Sequence, residues 1–166
     1  MELTENLHTQ ADFLIPSGER VSFDGMLDDV FAFIGYDTSQ KYNLIIGTDS
    51  FLSKDTLFVS AVIIHRVGHG GRYYYRKIKK RKLDSMRHRI FLEATMSIEL
   101  ASEIMGKLNE NGHAKLPVEI HLDVGNNGET REIIKEVVGM VTGSGYAAVT
   151  KPASYGASKV ADRHSK

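Results

Sequence analysis

Three carboxylates stand out by where they fall in the chain. Asp49 closes the apolar run Ile45-Ile46-Gly47-Thr48 and is followed by Ser50. Aspartate is disfavoured inside strands, so a run that ends on one places it at a sheet edge, as a turn cap or as a reactive group. Asp123 repeats the pattern. Val118, Ile120 and Leu122 alternate with Glu119, His121 and Asp123, and the turn Gly125-Asn126-Asn127-Gly128 follows. An Asx cap is again the alternative reading. Glu93 falls in a helical stretch. At about 100° per residue, Met86, Ile90, Ala94, Ser97, Ala101, Ile104 and Leu108 share roughly 80° of arc, with Glu93 about 20° outside it. Glu99, Glu103 and Glu110 lie nearly opposite, where solvent is expected. A carboxylate beside a buried stripe is costly unless a cation or a metal ion pairs with it. Arg89, four residues earlier, is one candidate partner. Asp162 lies in a last helix whose stripe is Ala157, Val160, Ala161 and His164, and periodicity alone does not single it out.

Charge is sorted along a chain that is neutral overall, with 21 basic and 21 acidic residues. Residues 1–30 hold seven acids against the single base Arg20, whereas residues 72–89 hold nine bases against the single acid Asp84. A concentrated basic segment in a neutral protein is a candidate polyanion contact, the alternative being a solvated face. Tyr73, Tyr74 and Tyr75 lie within it. They are read first as sheet packing, since two of the three share one face, and second as stacking groups.

These residues need a scaffold to position them. Ser22 is placed to cap a helix whose Phe23, Met26, Leu27, Val30, Phe31 and Ile34 follow a 3.6-residue period, with Gly35 as its stop. Three strand-like runs come next, Tyr42 to Asp49, Thr56 to His65 and Arg72 to Ile78. Short polar and glycine-rich turns make them hairpins. A long helix is expected from about Asp84 to Asn109. Then come a strand from Val118 to Asp123, a helix from Glu129 to Val141, a strand from Gly145 to Thr150, and a helix from Ser154. A meander followed by α/β crossovers predicts a mixed sheet with helices on its faces.

The 166 residues suit one domain, and 42% hydrophobic with 25% charged residues is ordinary for a globular protein. No run of 18 apolar residues and no basic-then-apolar N-terminus occurs, so neither a spanning helix nor a secretory signal is expected. Zero cysteines exclude disulfides and thiolate metal sites and fit a cytoplasmic protein. The absence of a Gly-x-x-x-x-Gly-Lys-Ser/Thr loop, and the short length, argue against a kinase or ATPase.

Taken together, IIGTDSF (45–51), GGRYYYRK (70–77), RIFLEATMSIELA (89–101), IHLDVGNNG (120–128) and KPASYGASKVADRHSK (151–166) resemble the ribonuclease H-like superfamily. Within it, the chain is most similar to the bacterial YkuK-type family of predicted ribonuclease H-related nucleases. The resemblance implies an α/β ribonuclease H-like fold, a five-stranded mixed sheet of order 3-2-1-4-5 with the first three strands antiparallel. Helices would cover both faces, with an extra helix at the N-terminus. Residues 1–21 would be a lead-in and 22–166 a single domain, of which 22–40 are the helical extension. It also implies that Asp49, Glu93, Asp123 and Asp162 are catalytic metal ligands for two Mg²⁺ or Mn²⁺ ions, in two-metal phosphodiester hydrolysis. Arg72, Arg76, Lys79, Lys80, Arg81 and Lys82 would hold the backbone of a nucleic acid: RNA, an RNA–DNA hybrid or structured DNA. Where ribonuclease H enzymes often carry a histidine before the last aspartate, this chain has Lys151-Pro152, and Lys151 is a further candidate phosphate contact. The rival reading is a catalytically silent nucleic-acid-binding or interaction module on the same fold.

Overall fold

The computed structural model describes residues 12–113, 115–125 and 128–165. In chain order the elements are β1 (Phe13–Leu14), β2 (Arg20–Val21), α1 (Phe23–Tyr36), β3 (Tyr42–Leu52), β4 (Thr56–Arg66) and β5 (Gly71–Lys80). They continue with α2 (Met86–Glu110), β6 (Val118–His121), a 3₁₀ segment (Gly128–Ile133), α3 (Ile134–Gly143), β7 (Ala147–Val149) and α4 (Tyr155–Arg163).

One seven-stranded sheet runs β2-β1-β5-β4-β3-β6-β7. Its five longer-range strands keep the expected 3-2-1-4-5 order, with β3, β4 and β5 antiparallel and β6 and β7 added in parallel. The expected count of five strands is corrected to seven. Residues 13–21 form a two-strand hairpin whose Leu14 pairs with Tyr75, so it covers the outer edge of β5. An open edge of a long strand is an invitation to mispairing, and this short hairpin blunts it.

The two sheet faces are dressed differently. Leu44, Ile46, Val62, Ile64, Tyr74 and Ile120 point to the side covered by α1, α2 and α3, and join Met26, Val30, Ile104 and Val137 in the main core. Each such aliphatic chain contributes about 1.5–3 kcal/mol by leaving water. Val59, Ala61 and Tyr75 point to the other side and meet Val160 and Ala161 of α4. The long helix α2 buries Ile90, Ala94, Ser97, Ala101, Ile104 and Leu108, the stripe expected from the sequence. Met86, included in that stripe, is 37% exposed at the first turn. The Ser22 cap holds: its hydroxyl accepts from the Gly25 amide at 3.0 Å. Gly35 does not end α1, which runs on to Tyr36 and stops at Asp37.

The position of α4 depends on one glycine. A Cβ at Gly47 would sit 2.5 Å from the Ala157 side chain, closer than real side-chain contacts. The missing Cβ lets the helix lie directly on β3, two residues before Asp49.

Candidate functional site

Asp49 does not end its strand, as the sequence suggests; β3 continues to Leu52, paired all the way with β4. What ends near it is the partner on the other side. The parallel ladder with β6 stops at Gly47 and His121. Asp49 therefore lies just past the last rung shared by β3 and β6, in the crevice at the carboxyl end of the parallel strands where α/β sheets place their ligands. Asp123 leaves β6 two residues after that rung and enters the same crevice.

Glu93 is positioned by matched rulers. Ser97 donates to the Thr48 hydroxyl at 2.9 Å, and Thr48 shares a 2.8 Å hydrogen bond with Ser60 of β4, all three buried. One helical turn earlier, Glu93 Oε1 accepts from the Ser50 amide at 2.8 Å and from the Ser50 hydroxyl at 2.7 Å. Four helical residues rise about 6 Å and two strand residues about 6.7 Å, so 93/97 on α2 can match 50/48 on β3. Arg89 is not the partner of Glu93. Its guanidinium donates to the carbonyls of Leu83 at 2.7 Å and Asp84 at 3.0 Å, pinning the β5–α2 connection.

Electrostatically the cluster is strained. Burial pushes the Asp49 carboxyl up to about 7, helped by the charges of Asp123 and Asp162 and opposed by the Ser158 hydroxyl and Lys151. Burial also pushes Glu93 up to about 8, with Asp49 and Asp123 adding to the rise and the Ser50 hydroxyl and amide pulling against it. Asp162 is exposed on α4, one turn after Ser158, and close enough for its charge to act on Asp49. The structure thus brings Asp123 and Asp162 within electrostatic range of Asp49, and Asp49 and Asp123 within range of Glu93.

Hard oxygen donors under mutual repulsion suit a divalent cation in chemistry and in charge. They are not gathered to ligand distance: among the described residues, no three Asp, Glu or His side chains form a ready-made ion site. Lys151 is engaged instead, its Nζ 2.9 Å from Asp123 Oδ1.

The basic residues divide into three groups. Lys79, Arg81 and Lys82 are exposed and Lys80 half-exposed, at the end of β5 and in the connection to α2. The register aligns Lys79 with Leu57 and Phe51, which puts this group at the same end of the sheet as Asp49. Arg72 is exposed but far away. It aligns with Ile64 and Leu44, whereas Asp49 aligns with Val59 and Lys77. Five strand residues, about 17 Å, separate the two rows. Arg72 lies 3.8 Å from Asp29 instead. Arg76 corrects the expectation of a phosphate contact: it is 1% exposed, with its guanidinium 4.9 Å from the centre of the Phe13 ring. A side chain on the buried face of a strand cannot reach a polyanion. Tyr74 and Tyr75 are buried and Tyr73 half-buried, so all three pack rather than stack on a ligand.

Sequence reasoning missed Ser50, Ser97 and Ser158 as supports of the acids. A polar Ser97 inside an apolar stripe was one available signal. The spacing of Ser158 one turn before Asp162 was another.

The comparisons with known proteins agree with this geometry. The family model for ribonuclease H-like proteins matches residues 25–166. A Bacillus subtilis (strain 168) relative, "Uncharacterized protein YkuK", is 34% identical over 165 residues, covering 90% of this chain and 94% of the relative. No solved structure matches. With the meander, the parallel crossovers, the acids at the carboxyl end of the strands and a match of this extent, the chain belongs to the ribonuclease H-like family, beside the YkuK protein.

Proposed function

We propose that this protein is a metal-dependent nuclease that hydrolyses phosphodiester bonds, with Asp49, Glu93, Asp123 and Asp162 holding two Mg²⁺ or Mn²⁺ ions. One observation carries the reading: the buried Asp49 and the half-buried Glu93, its carboxylate fixed by Ser50, are held beside further acids at the sheet's ligand-binding end, where burial and like charge raise both pKa values. Such an arrangement costs stability and is kept at functional sites. When bound, two divalent ions supply an activated water and stabilise the leaving oxygen. The chain's own residues do the rest. Ser50 fixes the Glu93 carboxylate by two hydrogen bonds, so only its other oxygen is free to turn toward a ligand. The Thr48–Ser97 bond sets the height of α2 above β3. Lys79, Lys80, Arg81 and Lys82 offer positive charge to the phosphates of RNA, a hybrid or structured DNA at the same end.

The Lys151–Asp123 ion pair favours a second reading, a binding module whose acids no longer take metal. Labelled single-stranded RNA, RNA–DNA hybrid and branched DNA, each incubated with Mg²⁺, Mn²⁺ or EDTA, separate the two. Cleavage that requires metal and falls by about 10²–10³-fold or more in Asp49→Asn, the scale of losing one preorganised electrostatic group, supports the nuclease. Binding without cleavage in any metal overturns it in favour of the module.

A further inference from the structure

The helix α4 crosses the sheet along a single row of residues. Its Ala157 sits against Gly47 of β3, and its Val160 and Ala161 join Ala61 of β4 in one buried cluster. His164, just past its end, stacks on Tyr75 of β5 with ring centres 3.8 Å apart. Gly47, Ala61 and Tyr75 are aligned partners in the ladders. On the same face, two further rows follow toward the end that carries the acids. The nearer is Asp49, Val59 and Lys77; the farther is Phe51, Leu57 and Lys79. Val59 is buried, Phe51 and Leu57 are half-exposed, and both lysines are exposed. From α4, the Ser158 hydroxyl bonds to Asp49 and the charge of Asp162 acts on it.

These two rows form a shelf beside α4 with a fixed order across it. The acid stands on β3, the apolar pair Phe51 and Leu57 lies next to it, and the cations stand on β5. Asp49 and Phe51 are about 6.7 Å apart along β3, and two strand spacings, about 10 Å, separate β3 from β5. A half-exposed aromatic ring with lysines in the adjoining strand is what sheets offer to unstacked bases and their phosphates. Bases inside a duplex stack on one another and present no face to such a ring. We propose that Phe51 and Leu57 form a stacking platform for an unpaired base beside the reactive acids, with Lys77 and Lys79 on the phosphates, so that the substrate enters this site as a single strand. The inference rests on the nuclease reading above and narrows its substrate class.

The test measures binding of the full chain in EDTA by fluorescence anisotropy, with three labelled probes: a single strand, the same strand made abasic throughout, and an RNA–DNA hybrid. Wild type should bind the single strand about 5- to 150-fold more tightly than the abasic strand, the range for one base stacked on an aromatic ring. Phe51→Leu keeps an apolar chain in the packing but has no ring face. It should lose most of that preference while holding the abasic strand and the hybrid as wild type does, and Phe51→Trp should retain it. Circular dichroism checks the fold of each variant, and the wild-type comparison of the two strands needs no variant at all. Equal affinity of wild type for the two strands, a preference that survives Phe51→Leu, or tighter binding of the hybrid would each overturn the platform. Metal-dependent cleavage by the same preparation would then leave the nuclease reading standing. A base preference that follows Phe51, with no cleavage in any metal, would support the platform and overturn the nuclease reading.

Discussion

The two ends of the central hairpins treat charge in opposite ways. At the end where β3 begins, every polar group named here has a partner. Tyr74 donates to Asp29 at 2.7 Å, and Arg66 donates to the Tyr42 hydroxyl at 3.1 Å and the Phe33 carbonyl at 3.3 Å. The Arg66 and Arg72 guanidinium groups lie 4.3 and 5.2 Å from the Phe33 ring centre. At the other end, beyond the β3–β6 ladder, acids face acids, and burial with like charge raises the pKa values of Asp49 and Glu93. The first arrangement stabilises the fold. The second works against it, and a fold departs from local consistency mainly where function requires it.

The largest expected effect lies at the frustrated end and follows from proton linkage. Asp49 and Glu93 have folded-state values near 7 and 8 against ordinary values of 3.8 and 4.5. The folded state therefore binds more protons than the unfolded one between about pH 4 and 8. The favourable contribution is complete below the lower values and is lost as pH rises through the upper ones. Each group alone can contribute at most about 1.4 kcal/mol per pH unit in that window. Metal-free Asp49→Asn and Glu93→Gln should melt at or above the wild-type temperature at pH 8, and that advantage should fade by about pH 5. Thermal melts in EDTA at both pH values measure it. Variants less stable than wild type at pH 8 would mean that the two ends do not differ as described.

An intermediate effect belongs to the satisfied end. Asp29→Ala removes the acceptor of the largely buried Tyr74 hydroxyl and should lower stability by about 1–3 kcal/mol, read by urea unfolding. Cleavage per folded molecule should be unchanged. A loss of activity at full folding would extend the functional region across the sheet.

The smallest expected effect concerns the exposed bases. Lys79, Lys80 and Arg81 changed together to Ala should weaken nucleic-acid binding regardless of sequence. If each contacts one phosphate, the slope of log affinity against log salt should fall by about 2–3. Arg72→Ala, at the satisfied end, should leave that slope alone. Equal slopes in wild type and the triple variant would reduce the basic segment to a solvated face.

Much of this layout is legible in the chain, and the misses have physical causes. The hairpin meander and the α2 stripe follow from periodicity, because both bury one face against a continuous core. The sequence pattern ends β3 at Asp49 because Asp and Ser are poor strand formers, yet pairing with β4 carries them along to Leu52. Charge alone groups Arg76 with its basic neighbours, but period two puts it on the same face as Tyr74 and Ile78, which are buried. The hairpin of β1 and β2 is invisible to periodicity, because two-residue strands have no alternation to read. The Lys151–Asp123 pair joins residues 28 apart and depends on how the strand ends meet, which no local pattern reports.

The parallel ladder of β3 and β6 also bears on how the chain reaches this state. Pairing Leu52 with Thr56 closes a loop of three residues, whereas pairing Gly47 with His121 closes one of 73. At about 0.6 kcal/mol per doubling of length, the longer closure costs roughly 3 kcal/mol more in chain entropy. The meander can therefore form early, with β3 as a bare edge, and the rung that gathers Asp49 and Asp123 must come later. Until β6 arrives, the strand bearing Ile45 and Ile46 is a template open to any other chain, so slow closure and exposure to aggregation fall on the same strand as the acids.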